Sequence, residues 1–235
     1  MTEFRPGSFQ MIPPVIKNLI IINVLVFLAQ ETLGPVIKVS MINLLALHDL
    51  HSVLFRPHQL ITYLFMHGGW DHILFNMFAL WMFGAVLENY WGAKRFLIFY
   101  MVSGIGAAVC HLAVLYPEMT AEIARLHEQY SPESLQENLY SFTYPINGAT
   151  VGASGAVFGC LAAFGYLFPN SLIYLYFFVP IKAKWMVLGY AAIELFSGIR
   201  GSAGDNVAHW AHLGGGLFGL LLVIYWNRNN RRNFY

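Results

Sequence analysis

Residues 148–160 read Gly148-Ala-Thr-Val-Gly152-Ala-Ser154-Gly155-Ala-Val-Phe158-Gly159-Cys160. Irregular, glycine-flanked chain gives way here to an apolar helix long enough to enter a lipid bilayer. Ser154 stands at the junction, near the positive end of the helix dipole. Later in the chain a second apolar helix carries His212, followed by Gly215 and Gly219. Gly155 and Gly159 on the one helix, and Gly215 and Gly219 on the other, both have G-x-x-x-G spacing. Such faces pack backbone to backbone in membranes. His212 shares its face with Gly215 and Gly219, three and seven residues on. The contact is therefore expected to bring Ser154 and His212 to the same depth, near the outer end of an all-α membrane bundle.

Composition agrees. Of the 235 residues, 57% are hydrophobic and only 11% charged, where a soluble domain carries about 25% charged. Mean hydropathy is +0.55, so a polytopic membrane protein in contact with the lipid bilayer is expected. A net charge of +1 argues against a nucleic-acid partner. Cys110 and Cys160 fall in apolar helices and read as small buried hydrophobes, not as a disulfide or a metal site. The first ten residues, MTEFRPGSFQ, are too polar for a signal peptide and lack a small-residue cleavage site. The first apolar segment is thus expected to be retained.

Six spanning segments are predicted, near residues Pro14–Leu33, Trp70–Tyr90, Phe96–Tyr116, Gly152–Phe168, Lys184–Ile199 and Asn206–Trp226. Several lie at the short end of the ~17–25 residues a span requires. With the N-terminus inside, the inner segments hold Arg5, Lys17, Lys94, Arg95, Lys182, Lys184, Arg228, Arg231 and Arg232. The outer ones hold Lys38, Arg56, Arg125 and Arg200. That bias fits six helices with both termini cytoplasmic. The short tails and the lack of a transit peptide favour a bacterial inner membrane. The expected division is a cytoplasmic tail at 1–13, a transmembrane domain at 14–227 and a basic cytoplasmic tail at 228–235. Residues 35–69 are too apolar for a free loop and are broken by prolines. They read as an interfacial first loop, with a poor seventh membrane helix as the alternative. Residues 117–147 form an extended, polar third loop on the outer face. Within it a surface helix is predicted from Thr120 to Gln129, with Thr120 as its N-cap.

A serine hydroxyl is a poor nucleophile until a base takes its proton. The unpaired amides of a helix's first turn can donate to an oxyanion. Taken alone, Gly-Ala-Ser-Gly also reads as a small-residue packing patch. Ionisable residues within a membrane helix are costly and usually functional. His209, one turn outward on the same face, competes with His212 for the role of base, and the glycine spacing favours His212. Phe158, one turn after Ser154, can pack under the imidazole. Two histidines at i, i+3 could bind a metal, but no nearby carboxylate or cysteine completes a ligand set, so no metal and no cofactor is expected. In the second span His72 and Asn76 share one face of an apolar helix. Both can donate hydrogen bonds to an oxyanion; interhelical bonding is the other reading. The stretch lacks the glutamate of H-E-x-x-H, so it is not a metalloprotease motif.

Three stretches, HGGWDHILFNMFALWMFGAVLE, GASG with its following aromatic, and AHLGGGLFG, together resemble the rhomboid family of intramembrane serine proteases. They occur in family order over residues 59–219. The resemblance implies a six-helix rhomboid bundle with a water-filled cavity open outward. It implies a dyad of Ser154 and His212, and an oxyanion hole from His72, Asn76 and the Ser154 amide. It also implies Gly152 beside the substrate-binding loop and Phe158 packed on the histidine. Glu88 falls at a structural carboxylate position near the cytoplasmic side. The fifth helix, which holds Glu194, is the family's gate. Glu194 finds no partner in the sequence; facing the cavity and a purely structural buried acid are both open. Two departures stand out: His58-Gln59 replaces a Trp-Arg common in the family's first loop, and the third loop is longer than in minimal members. The expected activity is intramembrane serine endopeptidase, acting on transmembrane protein substrates. The alternative is a catalytically silent relative serving as a membrane-protein chaperone or quality-control factor. A transporter is disfavoured, because no internal repeat is present.

Overall fold

The computed structural model describes residues 9–37, 40–137, 147–175, 178–200 and 208–230. Arg5, Lys38, Asn206, Arg231 and Arg232 lie outside them. The described chain is mostly helical. Helix α1 spans Pro14–Ile37, running past Gly34-Pro35 to end later than expected. The first loop is broken into short pieces, α2 (Met41–Leu45), strand β1 (Leu47–His48), α3 (Gln59–Thr62) and a 3-10 turn (Tyr63–Phe65), with no seventh long helix among its described residues. The second apolar segment is one rod, α4 (Trp70–Ala79), a π turn (Leu80–Gly84) and α5 (Ala85–Trp91). It is followed by α6 (Ala93–Gln129) and α7 (Pro132–Glu137). Strand β2 (Ala149–Thr150) leads into α8 (Ser154–Leu167). The hairpin β3 (Leu172–Leu175) and β4 (Val179–Lys182) leads into α9 (Ala183–Arg200), and α10 (His209–Asn230) closes the order.

Among the described residues, three helical stretches have by themselves the length and hydropathy of a membrane span: Pro14–Leu33, Trp70–Trp91 and Ala93–Gln129. Helix α6 has 37 residues, or ~55 Å at 1.5 Å per residue. That exceeds the ~30 Å hydrocarbon layer, so one end projects beyond it. Residues 120–129 are helical as expected, but they continue α6 without a break. Thr120 is therefore not an N-cap; its hydroxyl donates to the Tyr116 carbonyl at 2.8 Å, inside the helix.

Helices α6, α8 and α10 form the centre. Glycines let them meet without intervening side chains. A Cβ on Gly215 would collide with the Gly155 carbonyl, and one on Gly219 would lie 2.9 Å from the Gly159 Cα. The start of α1 is fixed by Glu88, whose two carboxylate oxygens accept from the Val15 and Ile16 amides at 2.9 and 2.8 Å. These are first-turn donors with no intrahelical acceptor, and a carboxylate there also opposes the helix dipole.

The first loop is tied together by Gln59, which is fully buried. Its Nε2 donates to the Leu54 carbonyl at 2.9 Å and to that of Asn43 at 3.2 Å. Its Oε1 accepts from the Arg56 and His48 amides at 3.1 and 3.3 Å. Held this way, the loop presents β1 to β2 as an antiparallel pair, with Leu47 opposite Thr150. The residues leading to Ser154 are thus anchored to a segment about a hundred positions earlier.

Candidate active site

Further contacts hold the chain before α8. The Ser52 hydroxyl donates to Asn147 Oδ1 at 2.6 Å. His111 Nε2 lies 2.8 Å from the Thr150 hydroxyl. The Gly152 amide donates to the Tyr63 carbonyl at 2.9 Å. Gly152 has φ +125°, which side-chain-bearing residues rarely adopt. That turn ends the extended approach and starts the helix at Ser154, two residues later than expected. The first regular bond of α8 runs from Val157 N–H to the Ala153 carbonyl at 3.0 Å. The cap, Ala153, has no side-chain acceptor, so the amides of Ser154, Gly155 and Ala156 are left for something else.

At this helix start, His212 Nε2 lies 2.8 Å from Ser154 Oγ. The Phe158 ring is stacked on the imidazole, with centroids 4.3 Å apart and planes at 3°. Tyr190 of α9 meets the Phe158 ring nearly edge-on at 5.5 Å.

His72 approaches from α4. The Gly68 amide donates to its Nδ1 at 3.2 Å, which leaves the proton on Nε2 and makes that nitrogen a donor. A Cβ placed on Gly152 would lie 2.9 Å from His72 Nε2 and 3.5 Å from Ser154 Oγ. One small volume therefore adjoins the serine oxygen and a neutral ring donor, and Gly152 keeps it open by lacking a side chain. Asn76, one turn on from His72, is buried, and its Nδ2 has no hydrogen-bond partner among the described residues. An unpaired buried amide is costly unless something accepts from it.

Sequence reasoning missed the surroundings of Glu194. Its carboxylate is buried, and Oε2 lies 2.6 Å from His209 Nδ1 and 3.1 Å from His212 Nδ1. The signal was present in outline. A lone acid in one apolar helix and a spare histidine in the next each require a partner, and they can be partners of one another. Among the described residues no group of three or more His, Cys, Asp or Glu side chains is arranged to hold a metal ion.

The model of the rhomboid domain matches residues 55–229, about three-quarters of the chain. The chain belongs to the rhomboid family. Rhomboid protein 1, mitochondrial, of Saccharomyces cerevisiae is 32% identical over 167 residues, covering 68% of this chain and 39% of the yeast protein. Rhomboid protease GluP of Bacillus subtilis is 30% identical over 161 residues, covering 68% of this chain and 25% of that protease. Rhomboid protease AarA of Providencia stuartii is 28% identical over 172 residues, covering 68% and 52%. This rhomboid thus matches about half or less of the length of these relatives. The domain match takes in Gly152, Ser154, Phe158, His212, His72, Asn76 and Glu194, and leaves α1, α2 and β1 outside.

Proposed function

We infer that this rhomboid is a serine endopeptidase that cuts other membrane proteins within or beside their transmembrane segments. The observation that carries the reading is the 2.8 Å contact between Ser154 Oγ and His212 Nε2, set at a helix N-terminus among unused donors.

Ser154 Oγ attacks the scissile carbonyl carbon while His212 Nε2 takes the hydroxyl proton. The carbonyl oxygen becomes an oxyanion, held by the Ser154 amide, His72 Nε2–H and the Asn76 amide group. Each such donor is worth about 3–4 kcal/mol in the transition state. The C–N bond then breaks, and the imidazolium gives its proton to the leaving amine. A water molecule, deprotonated by His212, hydrolyses the acyl-enzyme and returns the proton to Ser154. Phe158 holds the imidazole plane. Gly152 leaves the volume the substrate carbonyl enters. No cofactor takes part.

In this reading α1, the α4–α5 stretch, α6, α8, α9 and α10 are the six membrane spans, with both termini cytoplasmic, as the distribution of basic residues favours. The membrane is a bacterial inner membrane in this reading. A substrate helix must unwind to present its backbone, so helix-breaking Gly or Pro near the cut is expected. The test is cleavage of a single-span model substrate in proteoliposomes by wild type and Ser154→Ala, with thermal unfolding of both. Wild type cuts, while the variant is inert and melts like wild type. Residual cutting by Ser154→Ala would mean another nucleophile, and folded but inert wild type would favour the membrane-chaperone reading.

A further inference from the structure

Helix α9 has 18 residues, and Ala183 and Glu194 are its only buried side chains. Glu194 is thus the one buried side chain beyond the helix's first residue, and it is an acid. Its carboxylate, 8% exposed, lies against the two histidines of α10, which are 13% and 12% exposed at His209 and His212. A carboxylate oxygen only accepts, so a nitrogen 2.6 Å away must carry a proton; His209 Nδ1–H therefore donates to Oε2. The same oxygen lies 3.1 Å from His212 Nδ1. That approach is off the ring N–H line, so the aligned bond belongs to His209. The opposite nitrogen of His212 meets Ser154. Serine, imidazole, carboxylate and second imidazole therefore stand in series across α8, α10 and α9.

We propose that Glu194 is a positioning residue that turns the Ser154–His212 pair into a carboxylate-supported triad, with His209 holding the carboxylate in place. The inference rests on the protease reading above. It follows from what a carboxylate beside Nδ1 does. Its charge, 3.1 Å from that nitrogen, favours the tautomer with the proton on Nδ1, which presents the Nε2 lone pair to the serine. It also offsets the positive charge that His212 gains when it takes the serine proton. His209 fixes the acid in turn, as an outer hydrogen bond orients an inner ligand. No proton leaves His212 for Glu194: the serine proton goes to Nε2 and then to the leaving amine.

The experiment compares wild type, Ser154→Ala, Glu194→Gln, Glu194→Asp and His209→Ala on the model substrate in proteoliposomes. It reads kcat and KM separately, with the labelling rate of a small fluorophosphonate probe and thermal unfolding alongside. Glu194→Gln is expected to lose on the order of 100-fold in kcat, within the ~10⁴-fold ceiling seen for a triad acid. KM should stay unchanged and probe labelling should slow in parallel. Glu194→Asp should recover part of the rate, and His209→Ala should lose about tenfold with KM unchanged. A purely structural role would lower the melting temperature or raise KM and treat Asp and Gln alike. If Glu194→Gln unfolds, the decision passes to His209→Ala and Glu194→Asp. The triad is overturned if folded variants stay within about twofold of wild-type kcat, or if Asp and Gln are equally impaired. Wild type indistinguishable from Ser154→Ala would instead remove the protease reading itself, and the triad with it.

Discussion

Asn76 carries a buried amide nitrogen with no acceptor among the described residues, one helical turn on from His72 in α4. Held for the transition state, that donor should matter only when the oxyanion forms. Asn76→Ala is therefore expected to lower kcat by about 10²–10³-fold, with little change in KM. Steady-state cleavage of the model substrate measures this. Gly152→Ala is worse placed: φ +125° strains the backbone, and the new Cβ would press on His72 at 2.8 Å. It should lose activity by at least about tenfold and stability by about 1–3 kcal/mol, as read by cleavage rate and thermal unfolding. Much of this geometry was legible in the sequence, because glycine spacing fixes which residues share a helix face. Ser154, His212 and Phe158 are brought together where that spacing predicts. Glu194 was not legible. Its partners lie on another helix, no periodic pattern links the two, and a single acid in an apolar run states a need without naming what meets it.

Between elements, the decisive contact is α8 against α10. Gly215→Ala should drive the helices apart, because its methyl group meets the Gly155 backbone. Overpacking of this kind costs typically about 1–3 kcal/mol, and rigid backbone on the far side sets it at the high end. Separation would also stretch the Ser154–His212 contact, so activity should fall with stability. Gly216→Ala is the control. Its nearest neighbours would be the Phe158 carbonyl at 3.9 Å and the Ala162 Cβ at 4.0 Å, an ordinary packing distance, so both properties should stay near wild type. Circular-dichroism melts in detergent and cleavage rates distinguish the pair. Helices stand where hydropathy placed them, and the starts at Pro14 and Trp70 were read correctly, but the ends of α1 and α6 and the start of α8 were not. Thr120 reads as a cap because threonine caps helices more often than it sits inside them. In α6 the helix instead continues past Pro117, and the hydroxyl bonds back to the preceding turn. The pairing of β1 with β2 could not be seen at all, since each is two residues long and carries no alternation.

Across the whole molecule, the bundle is fastened at both ends. Glu88 seizes the start of α1, and Gln59 with β1 steadies the approach to Ser154. Glu88→Ala leaves two helix-start amides without a partner, each worth about 1–3 kcal/mol if shut off from water. A lower melting temperature is expected, with catalysis per folded molecule little changed, because the hydrogen bonds lost are those to the start of α1. Glu88→Gln keeps one acceptor and should fall between. Orientation in the bilayer rests on charge and hydropathy, quantities the sequence displays openly; the hold of the first loop on the serine approach rests on side chains such as Gln59, whose burial no local pattern announces. Activation of Ser154 by His212 as its base is read out by fluorophosphonate labelling of the purified protein. Wild type should label, Ser154→Ala and His212→Ala should not, and His209→Ala should label slowly but definitely. Full labelling of folded His212→Ala, or none of folded wild type, would contradict it.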